Sequence, residues 1–197
     1  MKVETKSLID SSGGLRPSLA LALTSLLVMG LLYSLAGTGL GRMLFPSQAT
    51  GSLIERDGKA VGSALIPQPF VADAYFQARP SGSNYDPMAA AGSNQARTNP
   101  DLRKRIDEAR AAVAVREGLA PKSVPIELIT QSGGGLDPHI TPEGARVQAA
   151  RVAKARGLEL AQVERLIALH TEDRQFGLLG QPRVNVLELN LAMDAGK

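Results

Sequence analysis

Uncharged positions dominate one segment of the chain. From Pro17 to Gly41 it reads PSLALALTSLLVMGLLYSLAGTGLG, 25 positions without a charge. A helix needs about 20 apolar residues to cross a bilayer at 1.5 Å rise per residue. Pro17 suits a first helical turn, where its missing N–H costs nothing. Arg16 and Arg42 bracket the run and can reach the headgroups. The pattern predicts a membrane anchor over 17–41, carried by residues such as Pro17, Leu27, Gly30 and Tyr33. Gly30, Gly37, Gly39 and Gly41 leave room for another helix to approach. A cleaved secretory signal is the alternative reading, with Lys2 and Lys6 as its basic start and Ser34-Leu35-Ala36 as a cleavage site. The run exceeds the ~7–15 apolar residues of such signals, so a retained anchor is preferred.

Past the anchor the pattern shortens and alternates with breakers. LFPSQATGSLI (44–54) reads as an exit from the membrane. AVGSALIPQPFV (60–71) predicts one short strand, then a turn at Pro67 and Pro69. Residues 73–100 are loop-like, with Tyr75, Phe76 and Tyr85 among Ser, Gly, Asn and Pro. Gly82-Ser83-Asn84 recurs as Gly92-Ser93-Asn94, which is too little for a structural repeat. A loop of this length hints at a binding surface.

Helical signals follow. Asn99 is a good N-cap, Pro100 a good first residue and Gly118 a good stop. Leu102, Ile106, Ala109 and Val113 share one face. Asp101 with Arg105, and Lys104 with Glu108, are i,i+4 pairs on the exposed side. VPIELIT (124–130) predicts a strand. Thr141 caps a helix that opens with Pro142 and Glu143 and stops at Gly157. A further helix spans Glu159 to His170, with Leu160, Val163, Ile167 and His170 on one face. In PRVNVLELNLAMD, Leu187, Leu189 and Leu191 alternate with polar residues and favour a strand. Asn185 with Glu188 offers a capping box as the competing reading. The fold class is α/β (α+β-like): one N-terminal transmembrane helix, then a single mixed α/β soluble domain. The boundaries are a tail over 1–16, an anchor over 17–41 and a domain over 42–197.

Composition narrows the chemistry. The 197 residues allow one ordinary domain beside the anchor. Aromatics make up 4% and Trp is absent, so Leu, Ile, Val and Ala must build the core. A net charge of +3 argues for no nucleic-acid partner, and RKRIDEAR reads as a solvated helix face. Without cysteine, disulfides and thiolate chemistry are excluded, and either side of a membrane is tolerable. Lys2, Lys6 and Arg16 precede the anchor, while only Arg42 follows it before Arg56. The positive-inside bias therefore places the amino terminus in the cytoplasm and the domain outside it.

SGGGLDPHITPE (132–143) gathers Asp137, His139 and Glu143 around glycines, and His139 is one of only two histidines. A metal centre needs three or four ligands, and no HExxH occurs. Ser132 lacks a G-x-S-x-G elbow, and Asp-x-His within one loop does not form a relay. Ser132, Gly133, Gly134 and Gly135 could present backbone N–H groups to phosphate. They resemble the Ser-Gly-Gly core of the ABC-transporter signature loop, but no GxxxxGK[ST] is present. Asp137, His139, Asn94 and Asn99 are read as loop-fixing or partner-facing groups. No catalytic, metal or cofactor residue is assigned.

Nine stretches in order carry a wider resemblance. They are LRPSLALALTSLL (15–27), LFPSQATGSLI (44–54), GSALIPQPF (62–70), YFQARPS (75–81), GSNQARTNPDL (92–102), SGGGLDPHITPEGA (132–145), RVAKARGL (151–158), LIALHT (166–171) and GLLGQPRVNVLELNLAMD (177–194). Together they resemble the C chain of the Kdp-type potassium-transporting ATPase, the KdpC family, from about residue 15 to 194. After Gly144, ARVQAARVAKARG has small residues where larger ones are common in that family. The resemblance implies an accessory, non-catalytic subunit of a bacterial high-affinity potassium uptake pump in the plasma (inner) membrane. Its implied partners are a channel-like potassium-selecting subunit, a P-type ATPase subunit, a very small membrane subunit and the lipid bilayer. The complex would use ATP, magnesium and potassium. The family is commonly described as a catalytic chaperone that raises ATP affinity. With the domain outside the cytoplasm, bracing of the ion entrance is preferred, and any effect on ATP would pass through the membrane helices.

Overall fold

The computed structural model describes residues 14–196. The tail expected over 1–16 therefore lies, for residues 1–13, outside the described residues. The uncharged run forms one helix, α1 (Leu15–Leu44), the only described helix long and apolar enough to cross a membrane. None of its apolar side chains is buried by protein, as a lipid-facing helix requires. Within it Leu26–Leu32 takes wider π-type turns, where the Tyr33 N–H reaches the Val28 carbonyl. Arg42 lies in its last turn, where a cation opposes the negative end of the helix dipole. A helical turn, Pro46–Ala49, follows. One compact unit ends at Gly51 and a second runs from Ser52.

The second unit opens with an antiparallel hairpin of β1 (Leu53–Arg56) and β2 (Lys59–Ser63). Asp57 (φ 53°) and Gly58 (φ 72°) form its turn. Positive φ at both positions matches the right-handed twist of the strands, and Asp-Gly supplies it. Only β2 is foreseen by the sequence pattern.

Helix α2 (Pro100–Glu117) keeps its expected limits: the Asn99 carboxamide accepts the Asp101 N–H at 2.9 Å, and Gly118 stops it in the left-handed conformation. Helix α3 (Pro142–Arg156) is likewise capped by Thr141, whose hydroxyl accepts the Gly144 N–H at 3.0 Å, and ended by Gly157. Its small residues are its packing surface: Ala145, Ala149, Val152 and Ala153 are all buried. Helix α4 (Leu160–Leu169) opens on a Glu159–Gln162 capping box.

Two strand expectations fail. Residues 124–130 form no strand; Ile126–Leu128 is a 3-10 turn. Its Glu127 carboxylate accepts the Thr141 N–H at 2.9 Å and the Thr141 hydroxyl at 2.6 Å. The segment is thus committed to the positive end of α3 rather than to a sheet. In the tail, only β5 (Arg183–Asn185) is a strand; Val186–Ala195 is helix α5. Asn185 wins by capping: its carboxamide oxygen accepts the Leu187 and Glu188 N–H groups at 3.1 and 3.2 Å. Val186, Leu189 and Met193 then fall on one buried helical stripe.

β5 is the centre of a three-stranded antiparallel sheet, between β3 (His139–Ile140) and β4 (Thr171–Glu172). The core lies where α3, α4 and α5 meet that sheet. Val152, Val163, Val184 and Leu189 are fully buried there, with Phe76 among them from the long loop.

Candidate functional site

The glycine segment docks on the long loop that precedes α2. The Ser132 N–H donates to the Pro80 carbonyl at 3.4 Å, and the Gly135 N–H returns to the Ser132 carbonyl at 3.3 Å. The Ser81 hydroxyl donates to the Gly135 carbonyl at 2.7 Å and accepts from the Ser83 and Tyr85 N–H groups at 3.1 and 3.0 Å. Gln131 donates to the Ser81 carbonyl at 3.3 Å. The glycines in this contact are not equivalent. Gly135 has φ +72°, and a Cβ there would stand 2.7 Å from the Ser83 hydroxyl and 2.8 Å from the Ala91 carbonyl. A Cβ on Gly92 would strike the Gly133 carbonyl. Gly133 and Gly134 are exposed, and a Cβ on either meets nothing. Ser132 and Gly135 are buried.

The Gly-Ser-Asn recurrence acquires a geometric meaning. Asn84 (φ 52°) and Asn94 (φ 50°) both sit in the left-handed region, which asparagine tolerates better than most residues. Asn94 is exposed and shapes a loop, while Asn99 is consumed by capping α2.

Asp137 and His139 form a turn. The Asp137 Oδ1 accepts the His139 N–H at 3.0 Å and lies 3.6 Å from His139 Nδ1. Its Oδ2 accepts from Arg79 Nη1 at 3.0 Å. Burial works to raise the Asp137 pKa, but the His139 side chain and amide together with Arg79 outweigh it and hold the carboxyl below its usual range. Arg79 is itself fixed, since its carbonyl accepts the Tyr85 hydroxyl at 3.0 Å. Burial pushes the Tyr85 phenol up, against the opposing pull of Arg116. Asp137 is therefore an ionised partner of Arg79, pinning the glycine segment to the long loop. No group of three or more His, Asp or Glu suited to a metal occurs among the described residues.

A second polar cluster, not anticipated from the pattern, holds segment 73–80, which leaves a turn at 72–75 and continues without helix or strand pairing. Gln148, fully buried, accepts the Gln77 N–H at 2.8 Å and donates to the Gln77 carbonyl at 3.1 Å. Asn190 does the same for Phe76, accepting at 2.8 Å and donating at 2.9 Å. Each carboxamide replaces the strand neighbour that this segment lacks. Arg151 donates to the Asp73 and Tyr75 carbonyls at 2.5 and 3.0 Å and to Gln148 at 2.9 Å. Its Nε pairs at 3.0 Å with Glu117, whose fully buried carboxylate also takes Arg116 Nε at 2.6 Å. Arg156 donates to the Ala74 carbonyl at 2.6 Å, pairs with Asp194 at 2.9 Å and lies 4.9 Å over the Tyr75 ring. The signal is visible in the sequence once the helices are drawn. Gln148 interrupts the stripe Ala145, Ala149, Val152, and Asn190 interrupts Val186, Leu189, Met193.

Comparison with known proteins gives one consistent result. The family model described as KdpC, K+-transporting ATPase, c chain, matches residues 15–195. A "Potassium-transporting ATPase KdpC subunit" of Xanthomonas oryzae pv. oryzae is 60% identical over 186 residues, covering 94% of this chain and 89% of the relative. The protein of that name from Xanthomonas campestris pv. campestris is 58% identical with the same coverage. The one from Shewanella putrefaciens is 51% identical over 181 residues, covering 92% and 89%.

Proposed function

Because the chain belongs to the KdpC family of potassium-transporting ATPase C chains, we propose that it is the non-catalytic accessory subunit of a bacterial high-affinity potassium uptake pump. The observation that carries this reading is the extent of the match, which runs unbroken from the anchor helix through the last helix of the domain. In this reading α1 anchors the chain in the plasma membrane, with the amino terminus in the cytoplasm. The domain from Ser52 lies outside and braces a channel-like potassium-selecting subunit. ATP hydrolysis, with its magnesium, belongs to a P-type ATPase subunit, and a very small membrane subunit completes the complex. The clamped segment 73–80 supports a bracing role, because four side chains from two helices, Gln148, Arg151 and Arg156 of α3 and Asn190 of α5, hold its backbone through six hydrogen bonds.

The test is a topology reporter fused after Lys197, together with co-purification of the tagged full chain. The expected result is an extracytoplasmic reporter and recovery of two large polytopic membrane proteins. A cytoplasmic reporter overturns the bracing reading. It would favour the second one, direct nucleotide contact through Ser132, Gly133, Gly134 and Gly135. The exposure and open surroundings of Gly133 and Gly134 speak for that alternative. It predicts crosslinking of an ATP analogue near Ser132.

A further inference from the structure

Between β4 and β5 the chain makes an excursion whose residues, Glu172 to Gln181, are all exposed. Gln175 and Leu179 exchange both backbone hydrogen bonds at 2.9 Å, closing a small hairpin. Its tip is apolar: Phe176 is 86% exposed, Leu178 81% and Leu179 60%. These side chains have no core of their own to pack on. Phe176 also sits at φ +55°, a left-handed conformation in which a bulky aromatic is strained. Glycine would close this turn without strain, so the aromatic at its apex points to a contact made outside the domain.

We propose that this tip inserts Phe176, Leu178 and Leu179 into the surface of the lipid bilayer, as a second membrane contact beside the anchor helix. The proposal rests on the anchor reading of α1. Three features select lipid over a protein partner. The tip offers on the order of 400 Å² of apolar surface, enough to signal an interaction but about half of the ~800 Å² per side of a stable protein interface. Lipid insertion has no such threshold. Its flanks carry no net charge to steer a protein partner: Arg183 pairs with Glu172 at 2.8 Å, and the exposed Asp173 and Arg174 are of opposite sign. Finally, residues 45–52 between α1 and β1 span at most roughly 28 Å even when extended, so a weak insertion is promoted by effective concentration. The spanning helix alone holds the chain on the membrane, so the tip needs only the marginal affinity of a single weak apolar contact.

The absence of Trp from the chain makes the test direct. The full chain carrying F176W is reconstituted into phosphatidylcholine vesicles, with L178W as a second reporter should the first fail to fold. Flotation of the protein with the vesicles reads the anchor. Lipids brominated along the acyl chain read the tip. The expected result is blue-shifted emission and at least twofold quenching of the introduced indole, with no quenching of M88W, at a residue 93% exposed elsewhere in the domain. A chain that floats but shows F176W and L178W emission as unquenched as M88W overturns the tip contact and leaves the anchor standing. Shielding that arises only when pump subunits are added, without bromolipid quenching, overturns it in favour of a protein partner. A chain that does not float sinks both readings.

Discussion

Replacing Asn190 by alanine removes one side chain and orphans two backbone groups 114 positions away. Asn190 is 1% exposed and Phe76 is fully buried, so water has no ready route to replace the lost partners. Each buried group left unsatisfied costs about 1–3 kcal/mol, which for the two sums to roughly 2–6 kcal/mol. That is a large share of the ~5–15 kcal/mol that holds an ordinary domain. At ~2–4 °C per kcal/mol for a chain of this size, the melting temperature should fall by roughly 10 °C. The assay is thermal unfolding of the detergent-solubilised full chain, followed by circular dichroism. Limited chymotrypsin digestion gives a local readout, since cleavage after Tyr75 or Phe76 needs segment 73–80 to leave its seat. The reasoning is refuted if Asn190→Ala melts within about 2 °C of the parent and stays resistant at Phe76. The carboxamide would then fill space rather than supply the missing strand partner.

Gly135→Ala should lose about 2 kcal/mol or more, through positive φ and the crowding by Ser83 and Ala91, while Gly133→Ala should stay within about 0.5 kcal/mol; paired melting curves separate them. Arg151→Lys should cost about 1.5–3 kcal/mol despite keeping the charge, because a point ammonium cannot serve Glu117, Gln148 and two carbonyls at once; urea titration reads the loss. Asp137 has a folded-state pKa below its unfolded value, so its contribution is fully present above the unfolded pKa and disappears as pH falls through the folded one. The melting temperatures of the parent and Asp137→Asn should therefore differ near neutrality and converge in acid, and a gap that persists or widens in acid would refute the ion-pair role.

The anchor and the limits of α2 and α3 could be read from the chain alone because their determinants are local. An uncharged run, an Asn-Pro or Thr-Pro start and a glycine stop act within a few residues. The Asp57-Gly58 turn was equally local, but the preceding residues read as a membrane exit and concealed β1. The residues of the glycine segment were legible as a turn and a helix start. Their contact with Ser81, Ser83 and Ala91, about fifty positions earlier, was not. Tertiary partners also decided 124–130 and the tail. Glu127 is drawn to the amino end of α3, and Asn185 caps α5 although an alternating Leu pattern favours a strand. Propensity and pattern weigh neighbours along the chain. The long loop is ordered by Gln148, Arg151, Arg156 and Asn190, helix residues that reach its backbone across 71 to 114 positions of sequence. A buried backbone must find its hydrogen bonds somewhere, and only the folded chain determines which side chains provide them.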